Sequence, residues 1–297
     1  MLQQTQVSTV LNYFPNFILK FPTIQDLAAA SQDEVYQQWS GLGYYRRARF
    51  LHEGAKRVVA VYGGKFPEKN EDILTLPGVG QSTANAISAF CYNERVSILD
   101  GNVQRTLARI IGYTEEIDTT TSQKYFWDLA KTLLPKQKTE MPSYTQGLMD
   151  FGATLCTPKK PLCQACPFQK DCIAFKDNTQ LLIPKKKPKK SIPTRIYDVF
   201  YQEKILHGET FHGFIQYQKE LGIWEHLYGP IIKPSTIDGV KPDFIIQHTF
   251  SHFKGEFRVF VNKDKSPDLH WKKPSEWLNA GIPTPVGLMI QNVIKPI

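Results

Sequence analysis

Cys156, Cys163, Cys166 and Cys172 fall within 17 residues, spaced C-x6-C-x2-C-x5-C. A loop this dense in thiols is fixed by what the thiols hold. In a reducing compartment disulfides are not expected, so the cluster reads as a metal site. Four thiolates from one short loop hold either a tetrahedral zinc or a 4Fe-4S cluster. Zinc ribbons usually carry two C-x2-C knuckles, and here there is one. The spacing therefore favours iron–sulfur, with zinc and inert thiols as the other readings. Lys159 and Lys160 lie in the first spacer and read as solvated surface or as phosphate contacts. Cys91 stands apart on a predicted helix and reads as a small buried hydrophobe.

The length, 297 residues, fits two domains. A hydrophobic content of 41% excludes a mostly disordered chain. Lys and Arg number 36 against 28 Asp and Glu, a net charge of +8 that favours a polyanionic partner. No apolar run approaches the roughly 20 residues of a membrane span. The polar start, MLQQTQVSTV, lacks a signal-peptide layout. The expectation is a cytoplasmic, nucleoid-associated protein of bacterial type, monomeric and away from membranes.

Residues 1–183 read as helical, beginning at the first residue, with Met1 to Val7 already in helix. Ser31 and Glu34 form a capping box. A long helix is predicted from about Tyr44 to Tyr62, with Leu51, Ala55, Val58 and Tyr62 on one face and Gly63-Gly64 as its stop. Further helices are predicted near 81–91, 101–112, 121–133 and 143–154. Residues 184–195 form a basic, proline-interrupted linker, a solvated tether or a phosphate contact. Beyond it, Ile196–Tyr201, Phe211–Tyr217 and Glu256–Val261 read as strands of a smaller α+β domain, 196–297.

Leu76-Pro77-Gly78-Val79-Gly80 opens an apolar helix within the segment 76–84. Its glycines let the backbone approach a phosphate, and the helix N-terminus offers free N–H groups. The other reading is an ordinary helix–turn–helix corner. Downstream, Asp100 precedes a predicted helix. Such a carboxylate is often only an N-cap; between a hairpin and a metal loop, a catalytic role is preferred.

Together the hairpin, Asp100 and the cysteine loop resemble the helix-hairpin-helix glycosylase superfamily with an iron–sulfur loop. Four features are similar to its adenine DNA glycosylase (MutY-type) family rather than to endonuclease III. Leu2-Gln3-Gln4-Thr5-Gln6 resembles that family's M-L-Q-Q-T segment, and Gly41-Leu42-Gly43-Tyr44-Tyr45 its G-L-G-Y-Y. Ser82 stands where endonuclease III carries its Schiff-base lysine. Phe250-Ser251-His252 resembles the F-S-H loop that reads 8-oxoguanine, with Leu221-Gly222-Ile223-Trp224-Glu225 similar to the G-L-W segment. The C-terminal domain looks Nudix-like, without the carboxylates that a magnesium-dependent hydrolase of that fold needs.

The resemblance implies a mainly α glycosylase region plus a Nudix-like recognition domain. It implies hydrolysis of the N-glycosidic bond of adenine mispaired with 8-oxoguanine or guanine in double-stranded DNA. Asp100 is the ionised carboxylate that steadies the cationic sugar, Asn102 orients the site, and Ser82 lines the pocket. A serine cannot form an imine, so the enzyme is monofunctional. Leu2, Gln4 and Tyr44 hold the opened duplex. Pro77, Gly78, Val79 and Gly80 clamp a phosphate, with a monovalent cation. Phe250, Ser251 and His252 read the lesion, and the four cysteines hold a 4Fe-4S cluster. The family's general acid is a glutamate two residues before a methionine that corresponds to Met1. The expected explanation is a start codon further upstream. The other readings are a lesion-binding protein that cuts poorly and an endonuclease III-like lyase. Glu34 belongs to its capping box and is no substitute.

Overall fold

The computed structural model describes residues 1–187, 191–235, 239–262 and 268–294. Its helices are α1 (Val7–Val10), α2 (Phe14–Lys20), α3 (Ile24–Ala29), α4 (Gln32–Gln37), α5 (Arg46–Tyr62), α6 (Asn70–Leu74), α7 (Gln81–Tyr92), α8 (Gly101–Ile110), α9 (Thr120–Thr132), α10 (Met141–Asp150), α11 (Ile173–Lys176), α12 (Pro274–Leu278) and α13 (Thr284–Ile294). Its strands are β1 (Thr194–Leu206), β2 (Glu209–Gln216), β3 (Tyr228–Gly229), β4 (Ile231–Pro234), β5 (Phe244–Thr249), β6 (Lys254–Val261) and β7 (His270–Lys272). None of the described helices is long and apolar enough to cross a membrane.

The chain forms two compact units. One is Met1–Gly64 together with Lys190–Ile297; the other is Lys65–Lys189. The change from helical to strand character does fall at the basic linker. The compact units do not follow it, because the first 64 residues share a core with the C-terminal sheet. Phe17, Phe21, Val35, Tyr36 and Trp39 belong to the same buried cluster as Tyr197, Phe214, Phe257 and Trp277.

In that unit the sheet runs β3-β2-β1-β6-β5, with β4 also on β1 and β7 on β2. β1 is long enough to serve two sets of partners. Its first part pairs with β6 in parallel and β4 antiparallel, and its second part turns through His207-Gly208 into β2. Both turn residues have positive φ, 51° and 79°, the conformation of a two-residue turn that matches strand twist. The predicted strands are all present. β3, β4, β5 and β7 carry too short or too polar a pattern to be read in advance.

α5 ends as predicted: Gly63 is left-handed (φ 61°) and the Gly64 N–H reaches the Val58 carbonyl. Its buried face is Ala48, His52, Ala55 and Val58. Leu51 is 41% exposed, so it does not belong to that face. The capping box of Ser31 and Glu34 is present, joined by a second one of Thr23 and Asp26. The N-terminal expectation is corrected. Residues 1–6 are not helical, because Gln4 adopts φ 55°, and helix begins only at Val7.

The second unit packs α7 to α11 around Ile98, Val103, Leu107, Phe126 and Ala130. The predicted helices in this stretch are all there; α10 runs on into a π-helical turn, Phe151–Leu155, that delivers the chain to Cys156. Cys91 is exposed at the end of α7 and is not a core residue. The start of the linker is held, with the Ile117 N–H bonded to the Lys185 carbonyl at 3.0 Å. Its residues 188–190 lie outside the described ones.

Candidate active site and a second cavity

Between α6 and α7 the chain makes a tight hairpin. Pro77 sets its second position, Gly78 (φ 71°) its third, and the Val79 N–H closes on the Leu76 carbonyl at 3.1 Å. Proline followed by a positive-φ glycine is the chemistry of a type II turn. Gly80 then caps α7 without any side-chain acceptor. The first N–H groups of α7 are thus left to an outside partner. Buried amides fix the helix pair. Asn70 Nδ2 donates to Asn85 Oδ1 (3.0 Å) and Ser88 Oγ (2.9 Å), and Asn85 Nδ2 to the Ser97 carbonyl (2.7 Å).

That last bond places the strand-like segment before α8 against the hairpin. Ser82 Oγ accepts the Leu99 N–H at 3.2 Å, one residue from Asp100. Asp100 is the N-cap of α8. Its Oδ1 accepts from the N–H groups of Asn102 (2.9 Å) and Val103 (2.8 Å). The ordinary capping role is therefore real, and it engages one carboxylate oxygen. Oδ2 makes no hydrogen bond among the described residues. Ser82 and Asp100 line neither of the two cavities described below.

From Asp100 a chain of bonds leads to the cysteine loop. Asn102 Oδ1 accepts from Arg105 Nη1 at 3.0 Å. The same guanidinium donates to the carbonyls of Gly152 (2.7 Å) and Cys156 (2.9 Å). Gly152 has to be glycine, since a Cβ there would stand 2.7 Å from that of Asn102. One turn on, Arg109 donates to the carbonyls of Thr157 (2.7 Å) and Pro158 (3.0 Å) and lies 3.4 Å from Cys156 Sγ. Sequence reading missed both arginines. Their only signal is a four-residue spacing on one helix face.

Cys156, Cys163, Cys166 and Cys172 line one cavity beside Arg109. Burial pushes the Cys163 and Cys166 thiols up, and the other cysteines of the loop push them further. Among the described residues no three His, Cys, Asp or Glu side chains are drawn in as a ligand set for a metal ion. The loop therefore gathers the expected ligands around a shared space without closing them on a point. Lys159 and Lys160 are exposed.

The other unit carries a cavity of about 600 Å³, lined by Tyr44, Trp224, His248, Phe250, Ser251 and His252 among others. The Phe250-Ser251-His252 segment is the turn between β5 and β6, closed by the Phe250 N–H on the Phe253 carbonyl (2.9 Å). Phe250 points inward and stacks on Phe253 with centroids 4.3 Å apart. This leaves Ser251 and His252 exposed at the mouth, 3.3 Å from each other. Trp224 is held at φ 57° and stacks on Phe257. Two lining features were not foreseen. Burial lowers the pKa of His248, which keeps the ring neutral, and Arg49 pairs with Glu225 at 2.9 Å. Leu2 and Gln4 lie outside this cavity. Tyr44 is 60% exposed.

Comparison with known proteins agrees with this architecture. Residues 1–132 match the family described as HhH-GPD superfamily base excision DNA repair protein. The adenine DNA glycosylase of Buchnera aphidicola (subsp. Schizaphis graminum) is 33% identical over 98% of this chain and 88% of its own length. The adenine DNA glycosylase of Homo sapiens is 44% identical over 59% of this chain, which is 32% of the human protein. The solved structure of a thermostable thymine-DNA glycosylase superposes with a TM-score of 0.53 at 30% identity, covering 59% of this chain and 80% of that one. A non-covalent endonuclease III–DNA complex shares the fold at 24% identity, with a TM-score of 0.51 over 60% of this chain and 80% of its own. Fold and matches define a DNA N-glycosylase of base excision repair. The chain belongs to the adenine DNA glycosylase family.

Proposed function

We propose that the protein hydrolyses the N-glycosidic bond of adenine paired with 8-oxoguanine or guanine, without cutting the strand. The observation that carries this reading is the Ser82–Leu99 hydrogen bond beside Asp100. It brings the Ser82 hydroxyl within one residue of Asp100, a carboxylate with one oxygen to spare, and a hydroxyl, unlike the amine a lyase needs, cannot form an imine. A departing base leaves positive charge on the sugar, and an ionised carboxylate within reach stabilises that charge. Asp100 is assigned this work through Oδ2, while Oδ1 holds it on α8. No residue of this sequence is assigned the proton that the leaving base takes.

The base has to leave the stack before it can be cut. Leu2, Gln4 and Tyr44 are assigned to the opened duplex, and the hairpin 77–80 to a phosphate, with a monovalent cation as its accompanying ligand. The β5–β6 turn is assigned to the opposite base. 8-Oxoguanine differs from guanine by an N7–H donor and an O8 acceptor, and Ser251 and His252 at the cavity mouth offer both kinds of partner. The mixed sheet with α12 and α13 is read as a Nudix-like recognition domain.

Cys156, Cys163, Cys166 and Cys172 would hold the 4Fe-4S cluster, since all four line one cavity beside Arg109. Bound there, it would cross-link the loop that Arg105 and Arg109 tie to α8.

The test is single-turnover excision from a duplex with one A:8-oxoguanine pair. The reading expects an abasic product whose strand breaks only after alkali, and no adduct on borohydride treatment. A trapped protein–DNA adduct, or excision equal on an A:T duplex, would overturn it.

A further inference from the structure

Arg47, in the first turn of α5, joins the segments 1–5 and 42–43. Its Nη1 donates to the carbonyls of Met1 (2.6 Å) and Gln3 (2.5 Å) and to Thr5 Oγ1 (3.0 Å). Its Nη2 donates to the carbonyls of Leu42 (3.3 Å) and Gly43 (3.2 Å). The guanidinium also stands over the rings of Trp39 (5.4 Å) and Tyr44 (5.6 Å). Trp39 Nε1 donates to the same Gly43 carbonyl at 3.1 Å.

What these bonds flank is unusual. Gln4 has φ 55° and Tyr44 has φ 48°, both in the left-handed region that non-glycine side chains avoid. Such residues persist where their surroundings over-determine them. Gln3 and Thr5 bracket Gln4, and Gly43 directly precedes Tyr44. Arg47 thus holds the backbone carbonyl before one strained residue and the Thr5 hydroxyl after it, and the backbone carbonyl immediately before the other.

The ordinary role of an arginine in a DNA-binding chain is to contact phosphate. Here both Nη groups are committed to protein acceptors, and Nε is buried. Among the described residues the guanidinium has no carboxylate partner. Burial lowers its pKa, the cost of taking the cation out of water.

We infer that Arg47 is the positioning residue that sets Gln4 and Tyr44 for insertion into DNA, acting through the two backbone segments it bridges and not on the DNA itself. This rests on the reading of Gln4 and Tyr44 as the residues that hold the opened duplex. It adds to that reading a cause for their placement. A lysine at 47 keeps the charge but presents one ammonium in place of a fork, so it cannot hold both segments at once.

The experiment uses the full chain and a duplex with 2-aminopurine beside an A:8-oxoguanine pair, whose fluorescence rises as the stack opens. Melting temperature and the salt dependence of binding are measured alongside. Arg47→Lys is expected to melt with the parent yet lose about tenfold in the opening equilibrium. The Arg47→Lys/Gln4→Ala pair should open no less than Arg47→Lys alone, since each removes the same insertion. The salt slope should stay unchanged, because no phosphate contact is lost. Arg47→Gln, which keeps one planar donor, serves as the second variant if lysine lowers the melt. Parent-like opening in both variants, or a salt slope shallower by about one, would overturn the inference. If Gln4→Ala and Tyr44→Ala themselves open the duplex normally, the assignment of those two residues fails and Arg47's role falls with it. If they are impaired and the Arg47 variants are not, the inference alone fails.

Discussion

Arg105 Nε donates to the Cys156 carbonyl at 2.9 Å, so the helix that Asp100 caps is bonded directly to the first cysteine of the four-cysteine loop. Arg105 is only 7% exposed, and its three acceptors come from α8, the π-helical turn and the loop. Replacing it with Ala strands those acceptors. The expected cost is about 3 kcal/mol in urea unfolding, with slower excision, because Asn102 loses its partner too. An unfolding curve that overlays the parent would show that the bridge carries little.

Substitution of the four cysteines tests what they hold. The purified protein should contain about four iron atoms and as much acid-labile sulfide per chain, and Cys156→Ser should lose both. One zinc per chain, without sulfide, would replace the iron–sulfur assignment with a tetrahedral site.

Ser251 and His252 are exposed, so Ser251→Ala and His252→Ala should each leave stability within about 0.5 kcal/mol. Their effect belongs in recognition. The preference for 8-oxoguanine over guanine opposite adenine should fall by about tenfold for each hydrogen bond lost. Measured in single turnover on the two duplexes, an unchanged ratio would remove the turn from lesion reading.

His212 gives the fold a pH dependence. It is fully buried, bonded through Nδ1 to the Tyr201 hydroxyl (2.6 Å), and burial pushes its pKa down to about 4. The unfolded ring binds a proton near pH 6.5, so acidification favours the unfolded chain. Stability is full above that value and declines as the pH falls toward 4. Between pH 7 and 5 the expected loss from this residue is about 2 kcal/mol. Urea midpoints should fall over that range in the parent and less in His212→Gln; equal slopes would show that another group controls it.

Local chemistry was legible in the sequence. Pro77 and Gly78 announce their turn, Ser31 and Glu34 their cap, and Gly63 the end of α5, because each is decided by neighbours a few residues away. The three predicted strands were readable for the same reason. What escaped reading depends on distant partners. Residues 1–6 carry helix-forming side chains, yet Arg47 bonds hold them open. The joining of Met1–Gly64 to the C-terminal sheet leaves no local trace. β5 alternates in burial, but its sequence, three apolar residues followed by Gln247, His248 and Thr249, does not show it. Arg105 and Arg109 carry no local signal of their role, because the carbonyls they serve lie about fifty residues further along the chain.

The most direct test of the central claim compares Asp100→Asn with the parent in single-turnover excision of adenine from an A:8-oxoguanine duplex. Asparagine is as good an N-cap as aspartate. Unfolding should therefore change by less than about 0.5 kcal/mol, while Asp100→Ala costs about 1 kcal/mol. Excision by Asp100→Asn should fall at least a hundredfold, to roughly the loss expected when a group that acts in the transition state is removed. A parent-like rate in Asp100→Asn would reduce Asp100 to a helix cap and contradict the account.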